Sequence, residues 1–278
     1  MKITNTICII LGILGYCVSA MAGQGKILAT PGVSQAEGAG GGGIVPWAQL
    51  AGYASRDEIA VNGFCSRAGL DDYQLDVCGA QLNLYDRVEL SVAKQTFDVP
   101  ALNMQIKQDI AGVKVRLYGD ILYSALPQIS VGWQHKSLKD GTIANLLGAK
   151  DTRGDDFYVA ASKLHLGALA GYNFFWNVTA RYTDANQLGL LGFGAEGQHR
   201  SIQLEGAAAV FLNPNWAVGT EYRQKPDNMA IKEDDWQDVF IAWFPNKHFT
   251  VTAAWLNLGD IAGAEKQTGW YLSISGAL

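Results

Sequence analysis

SIQLEGAAAVFL–NPN–WAVGTEYRQ (residues 201–224) and WQDVFIAWF–PNK–HFTVTAAWLNL (residues 236–258) decide the architecture. Each is a pair of alternating segments joined by a very short Pro/Asn turn. In the first pair one face carries Ile202, Leu204, Gly206, Ala208 and Val210, then Trp216, Val218, Thr220 and Tyr222. The other face carries Gln203, Glu205, Ala207 and Ala209, then Ala217, Gly219, Glu221 and Arg223. Alternation with period two over about nine residues per segment marks strands with one apolar and one polar face. Repeated along a chain, it is the signature of a transmembrane β-barrel.

The N-terminus sets the compartment. Lys2 gives a positive start, residues 7–18 form a short apolar core, and Ala20-Met21-Ala22 offers an A-x-A cleavage site. This predicts a signal peptide over residues 1–22, too short to span a membrane as a helix. Cys17 follows Tyr16 and lacks the small-residue context of a lipoprotein site. No later stretch approaches the run of about 18 apolar residues that a spanning helix needs. Hydrophobic residues make up 49% of the chain, yet mean hydropathy is only +0.04, as expected when apolar and polar residues alternate. Gly (32) and Trp (8) are abundant, which suits strands that bend and aromatic girdles at the membrane interfaces. A net charge of −5 argues against nucleic acid as a partner. Cys65 and Cys78 remain after the leader, and an even pair in an oxidising compartment predicts a disulfide.

The glycine-rich segment 23–46 includes AEGAGGGGIVP. Two readings stand side by side: a mobile periplasmic lead-in, or bare backbone lying against the barrel wall or inside its lumen. The barrel is assigned to residues 47–278. Twelve strands are expected: 47–55, 73–84 with a bulge near Gly79-Ala80, 88–96, 110–119, 128–137, 156–164, 172–183, the two hairpins already quoted, and 268–278. The expected connections alternate in length. Short links lie near Asp86, at 120–127, 165–171, 213–215 and 245–247. Long ones lie at 56–72, 97–109, 138–155, 184–198, 225–235 and 259–267. Short periplasmic turns and longer outer loops are the barrel rule. An even strand count with both termini in the periplasm follows. The expected location is the outer membrane.

The alternation assigns faces. Glu89, Lys114, Arg116, Lys136, Arg181, Glu205, Glu221 and Arg223 share parity with polar neighbours, whereas Val113, Val115, Leu117, Ile129, Val131, Trp133, Phe174, Trp176 and Val178 fall opposite. A Lys or Arg facing lipid at the bilayer midplane costs about 2–4 kcal/mol, so these charges must line the lumen. Such a wall suits a narrow passive channel for small hydrophilic solutes. The alternative is a closed structural or accessory envelope barrel in which the mixed-sign wall pairs with itself.

Three stretches resemble the proteobacterial family called domain of unknown function 3034. They are GVSQAEGAGGGGIVPWAQLAGY (32–53), LGAKDTRGDDFYVAASKL (147–164) and ARYTDANQLGLLGFGAEG (180–197). The resemblance implies an exported, outer-membrane β-barrel. It assigns no functional residue to this chain.

Other motifs weigh against enzymatic roles. Gly192-x-Gly194-x-x-Gly197 matches the dinucleotide fingerprint in letters, but a polar-faced strand follows where a helix is required, and position 217 is Ala. No cofactor is expected, and no His/Cys/Asp/Glu cluster has metal-ligand spacing. His135-Lys136-Ser137 places a base and a hydroxyl on the outward rim, the arrangement of a lipid hydrolase. The orienting third group could come only from Asn145 in a loop, so a rim histidine is the simpler reading. His199-x-Ser201 faces inward and is weaker. No catalytic residue is therefore assigned.

Overall fold

The computed structural model describes residues 25–229 and 233–278; the expected leader lies outside the described residues. Twelve strands form a closed antiparallel barrel. They are β1 (Ile59–Leu70), β2 (Gln74–Leu84), β3 (Val88–Val99), β4 (Met104–Tyr118), β5 (Gln128–Leu138), β6 (Arg153–Leu169), β7 (Tyr172–Thr183), β8 (Ser201–Asn213), β9 (Trp216–Arg223), β10 (Trp236–Asn246), β11 (Phe249–Ile261) and β12 (Ala264–Ala277). Each strand pairs with its sequence neighbour, and β12 closes on β1 from Gly269↔Leu70 to Ala277↔Asn62. Closure leaves no unpaired strand edge, which lipid would not tolerate. No helix among the described residues is long and apolar enough to cross a membrane.

Local sequence explains the hairpins. In the β8–β9 turn the Asn215 N–H donates to Asn213 Oδ1 at 2.8 Å, and in the β10–β11 turn the His248 N–H donates to Asn246 Oδ1 at 2.8 Å. Asparagine mimics the missing backbone acceptor in both, so two residues suffice to reverse the chain. The outward face is apolar: Val61, Leu90, Val92, Val159, Val178, Leu204, Val239, Leu272 and Ile274 are exposed where acyl chains would lie. Aromatic residues flank this band. Trp216 stacks on its cross-strand partner Trp243 at 5.8 Å near the tight turns, and Trp255 opposes Trp270 toward the other end.

Three features depart from the sequence reading. Residues 47–55 are not a strand; they lie buried inside the barrel, and the first strand is Ile59–Leu70 within the expected first long loop. The pattern Ala60, Asn62, Phe64, Ser66, Ala68 inward and Ile59, Val61, Cys65, Arg67 outward mixes polarity on both faces, so the alternation is hidden. Second, the expected long connections at 97–109 and 259–267 are strand instead: β3 and β4 are joined by the short turn Pro100–Leu102, and β11 and β12 by residues 262–263. These strands run on beyond the apolar belt, where Lys107 and Asp109 on the outside meet solvent and period two no longer separates apolar from polar. The long outer connections are 139–152, 184–200 and 224–235. Third, no bulge occurs at Gly79-Ala80; the β1–β2 and β2–β3 registers run unbroken. Gly79 keeps inward parity, and a Cβ there would sit 2.6 Å from the Phe64 ring, so a missing side chain produced the apparent shift.

Cys65 and Cys78 form a disulfide between directly opposed positions on β1 and β2, on the outward face. Cys65 is thus a strand residue and not part of a loop. The strands it joins are already held on both sides by continuous ladders. The double variant C65S/C78S is expected to insert and to keep the gel shift between heated and unheated samples that marks a closed barrel. Loss of that shift in the double variant would show that the bond is needed for closure.

Candidate functional site

The lumen is filled by the chain's own N-terminal segment. Residues 29–54 are almost entirely buried inside the barrel. The segment enters and leaves at the tight-turn end: the Ala29 N–H donates to Tyr53 Oη at 3.1 Å, and Ile59 then opens β1 opposite Leu84. Its tip turns over at 33–41, where Val33 and Ser34 pair with Gly41 and Gly40.

Backbone groups taken from water need new partners, and the wall supplies them. Gln81 Nε2 donates to Gly38 O at 2.7 Å, Gln95 Nε2 to Ala36 O at 2.9 Å and Gln128 Nε2 to Ala48 O at 2.7 Å. Ser130 Oγ donates to Ala48 O at 2.6 Å, and Thr179 Oγ to Pro46 O at 2.8 Å. In return Ser162 Oγ accepts the Ala48 N–H at 3.0 Å.

The carboxylates act as clamps. Glu89 accepts the Gly40 N–H (2.9 Å) and the Ala51 N–H (2.7 Å), tying the outgoing and returning arms together. Lys114, 3.5 Å from Glu89, donates to Gly40 O (2.6 Å) and Gln49 O (2.8 Å). Glu221 accepts the N–H groups of Gly43 (2.7 Å) and Ile44 (2.9 Å) with one oxygen and Trp47 Nε1 (2.9 Å) with the other. The glycine run follows from this approach. A Cβ on Gly42 would lie 1.7 Å from Glu221 Oε1, and Gly41 has φ +143°, which only glycine adopts readily.

At the centre sits Glu37, the acidic residue of the loop tip. It pairs with Lys136, with Arg223 Nη1 at 2.5 Å and with Arg181 Nη2 at 3.4 Å. Lys136 also meets Asp156 at 2.6 Å; Arg181 meets Asp156 at 3.1 Å and Glu205 at 2.5 Å. Three cations therefore face three carboxylates, all fully or almost fully buried. Of the eight charged residues expected on the lumen wall, seven surround the loop. Arg116 shares their parity but lies at the tight-turn mouth, held by Asp86 and by Asp120 at 2.9 Å. Lys26 joins Asp86 at 2.7 Å, so this cluster also pins the incoming arm.

Sequence reasoning missed Glu37 and Asp156. The signal that could have found them is the run of inward amides: Gln81, Gln95, Gln108, Gln128 and Gln134 have no reason to be buried unless a backbone lies between them.

A second closure covers the outer mouth. Residues 186–191 form a tight turn with Gln187 and Leu188 at positive φ, and bury Leu188, Leu190 and Leu191. The letters that resemble a dinucleotide fingerprint belong to this cap: Gly192 and Gly194 flank Phe193, which pairs with Asp151. Lys225 donates to Gln187 Oε1 at 2.8 Å, Glu233 accepts the Gln187 N–H at 3.1 Å, and Lys225 and Glu233 lie 3.8 Å apart.

At the outward rim, Asp155 rather than Asn145 stands beside His135: His135 Nδ1 lies 2.9 Å from Asp155 Oδ1, which also accepts from Trp133 Nε1 at 2.9 Å. Asn145 sits in the short helix Thr142–Leu146. Ser137 shares the outward face, and among the described residues no hydrogen bond joins it to His135. His199 is in an exposed loop before β8, not on an inward face. No group of His, Cys, Asp or Glu among the described residues has metal-binding geometry.

These features define a transmembrane β-barrel of outer-membrane type with an internal loop. The chain belongs to the family described as protein of unknown function (DUF3034), whose profile matches residues 30–275. No curated protein matches it in sequence. In fold it is similar to KdgM porin (TM-score 0.50, 10% identity, covering 78% of this chain and 98% of that one). It is equally similar to NanC porin (TM-score 0.50, 10% identity, 78% and 100%).

Two outcomes follow from this geometry. Glu37→Ala leaves three buried cations facing two carboxylates, and breaking a buried pair in this way costs about 3–5 kcal/mol. Hydrogen exchange of the amides of residues 33–50 is expected to rise strongly, while the barrel strands stay protected. The cap should respond to pH. Burial raises Glu233 to about 7, against the opposing attraction of Lys225. Burial lowers Lys225 to about 8, against the attraction of Glu233. The Glu233 contribution to stability is complete below its ordinary 4.5 and is lost as pH rises through about 7. The Lys225 contribution is present above 10.5 and is already lost once pH falls through about 8. Between pH 5 and 8 the carboxyl governs, so the cap is held more firmly at pH 5. Exchange of the Gln187 amide, corrected for intrinsic rate, should be slower at pH 5 than at pH 8, and Glu233→Gln should flatten the difference.

Proposed function

We propose that this protein is an outer-membrane channel held closed by its own N-terminal loop, passing small hydrophilic solutes only when the loop leaves the lumen. The observation that carries the reading is the chemistry of the wall. Dry ion pairs contribute little net stability, because desolvation offsets their attraction, and an apolar filling would serve a permanently closed barrel as well. Lys114, Lys136, Arg181, Arg223, Glu89, Glu205 and Glu221 become useful when wet. With the loop withdrawn they line a hydrated passage with both signs of charge. A second reading, a closed structural barrel, is favoured by the many hydrogen bonds that hold the loop.

The chain is read as non-enzymatic: purified protein supplied with divalent cation should not hydrolyse lipid esters, and hydrolysis abolished by Ser137→Ala would reverse this.

Planar-bilayer recording separates the two main readings. The whole protein should be mostly silent, with rare steps. Deletion of residues 33–50 should give stable conducting steps, and Glu37→Ala should raise the open fraction at least tenfold. A deletion variant that keeps its heat-dependent gel shift yet stays silent would establish the closed barrel.

A further inference from the structure

We infer that the tight-turn end of the lumen holds a binding chamber for a small, uncharged apolar molecule carrying an aromatic ring. The chamber has a volume of about 410 Å³ and is bounded at the mouth by turn residues such as Gly171 and Pro214. That volume lies within the range of small-molecule pockets. Its wall is inward-facing strand, where an aqueous barrel would carry polar groups. Leu164, Phe175, Phe240 and Phe244 stand there instead, all buried. Space arises because β8, β9 and β10 present Ala209, Ala217 and Ala242 to the lumen.

The hollow opens at the tight-turn mouth, so a guest can enter it from that end. Apolar cavities are poor hosts for water and take apolar guests readily. The aromatic character of the guest follows from Trp47. The loop inserts its indole against Phe175 at 4.5 Å and Phe240 at 6.3 Å, with Glu221 fixing the indole N–H. One edge of the chamber is thus a rigid cluster of rings, which favours offset or edge-to-face contact with another ring. Trp47 and Val33 belong to the loop, so the chamber is complete only while the loop is seated. A guest that binds this state holds the channel closed by mass action. Binding does not require that the barrel conduct.

The test uses the whole protein in nanodiscs with 3-trifluoromethyl-3-phenyldiazirine, a small uncharged aromatic probe that labels on illumination. Peptide mass spectrometry reads the sites. Labelling is expected on Trp47, Phe175 and Phe240 as well as on lipid-facing Val178 and Val239. Ala217→Phe, which fills the chamber, should reduce the luminal labels at least fivefold and leave the lipid-facing ones unchanged. Ala209→Leu serves as a second filling variant should the first not fold. Labels confined to lipid-facing residues overturn the proposal. Because the readout is binding, a silent bilayer recording would refute the channel and leave the chamber standing.

Discussion

A backbone drawn into a barrel lumen loses water and must find a hydrogen-bond partner for every N–H and C=O. The rest of this molecule is arranged around that requirement. The loop 29–54 brings a run of glycines whose peptide groups are bare, and the wall answers with amides, hydroxyls and carboxylates set at inward positions on many strands. The partners come from β2, β3, β4, β5, β6, β7 and β9, so the loop braces the barrel across its width. Closure outward against lipid and satisfaction inward are two faces of one constraint: neither side of the wall offers bulk water at mid-height.

The charges obey the same logic. Glu37 neutralises an excess of cations that the wall alone would leave, since Lys136, Arg181 and Arg223 otherwise face only Asp156 and Glu205. The loop is therefore electrostatically matched to its receptacle, and the match depends on a single side chain at its tip. At the mouth, Lys26, Asp86, Arg116 and Asp120 repeat the device on a smaller scale.

How much of this the sequence displayed depends on depth in the membrane. Where strands cross the apolar belt, as in residues 201–223 and 236–258, period two is clean and the faces are legible. Above the belt both faces are polar, so the ends of β3, β4, β11 and β12 read as loops. β1 was displaced because Trp47, Ala48 and Leu50 look like strand and are instead the apolar part of the loop. The glycine run could be read as a lead-in or as luminal backbone, because glycine shows what a segment permits and not where it goes. Glu37 and Asp156 are isolated acids in sequence, and only the tertiary fold sets them against three cations. The rim residue Asp155 was hidden likewise: it comes to His135 across the β5–β6 ladder.

Both arms of the luminal loop leave through the same opening, next to the start of β1. Topologically residues 29–54 form a bight pushed into a ring. The ring can close first, with β12 finding β1, and be filled afterwards from below; it can also be emptied and refilled without a strand letting go. In topological terms, filling and assembly are thus separable events.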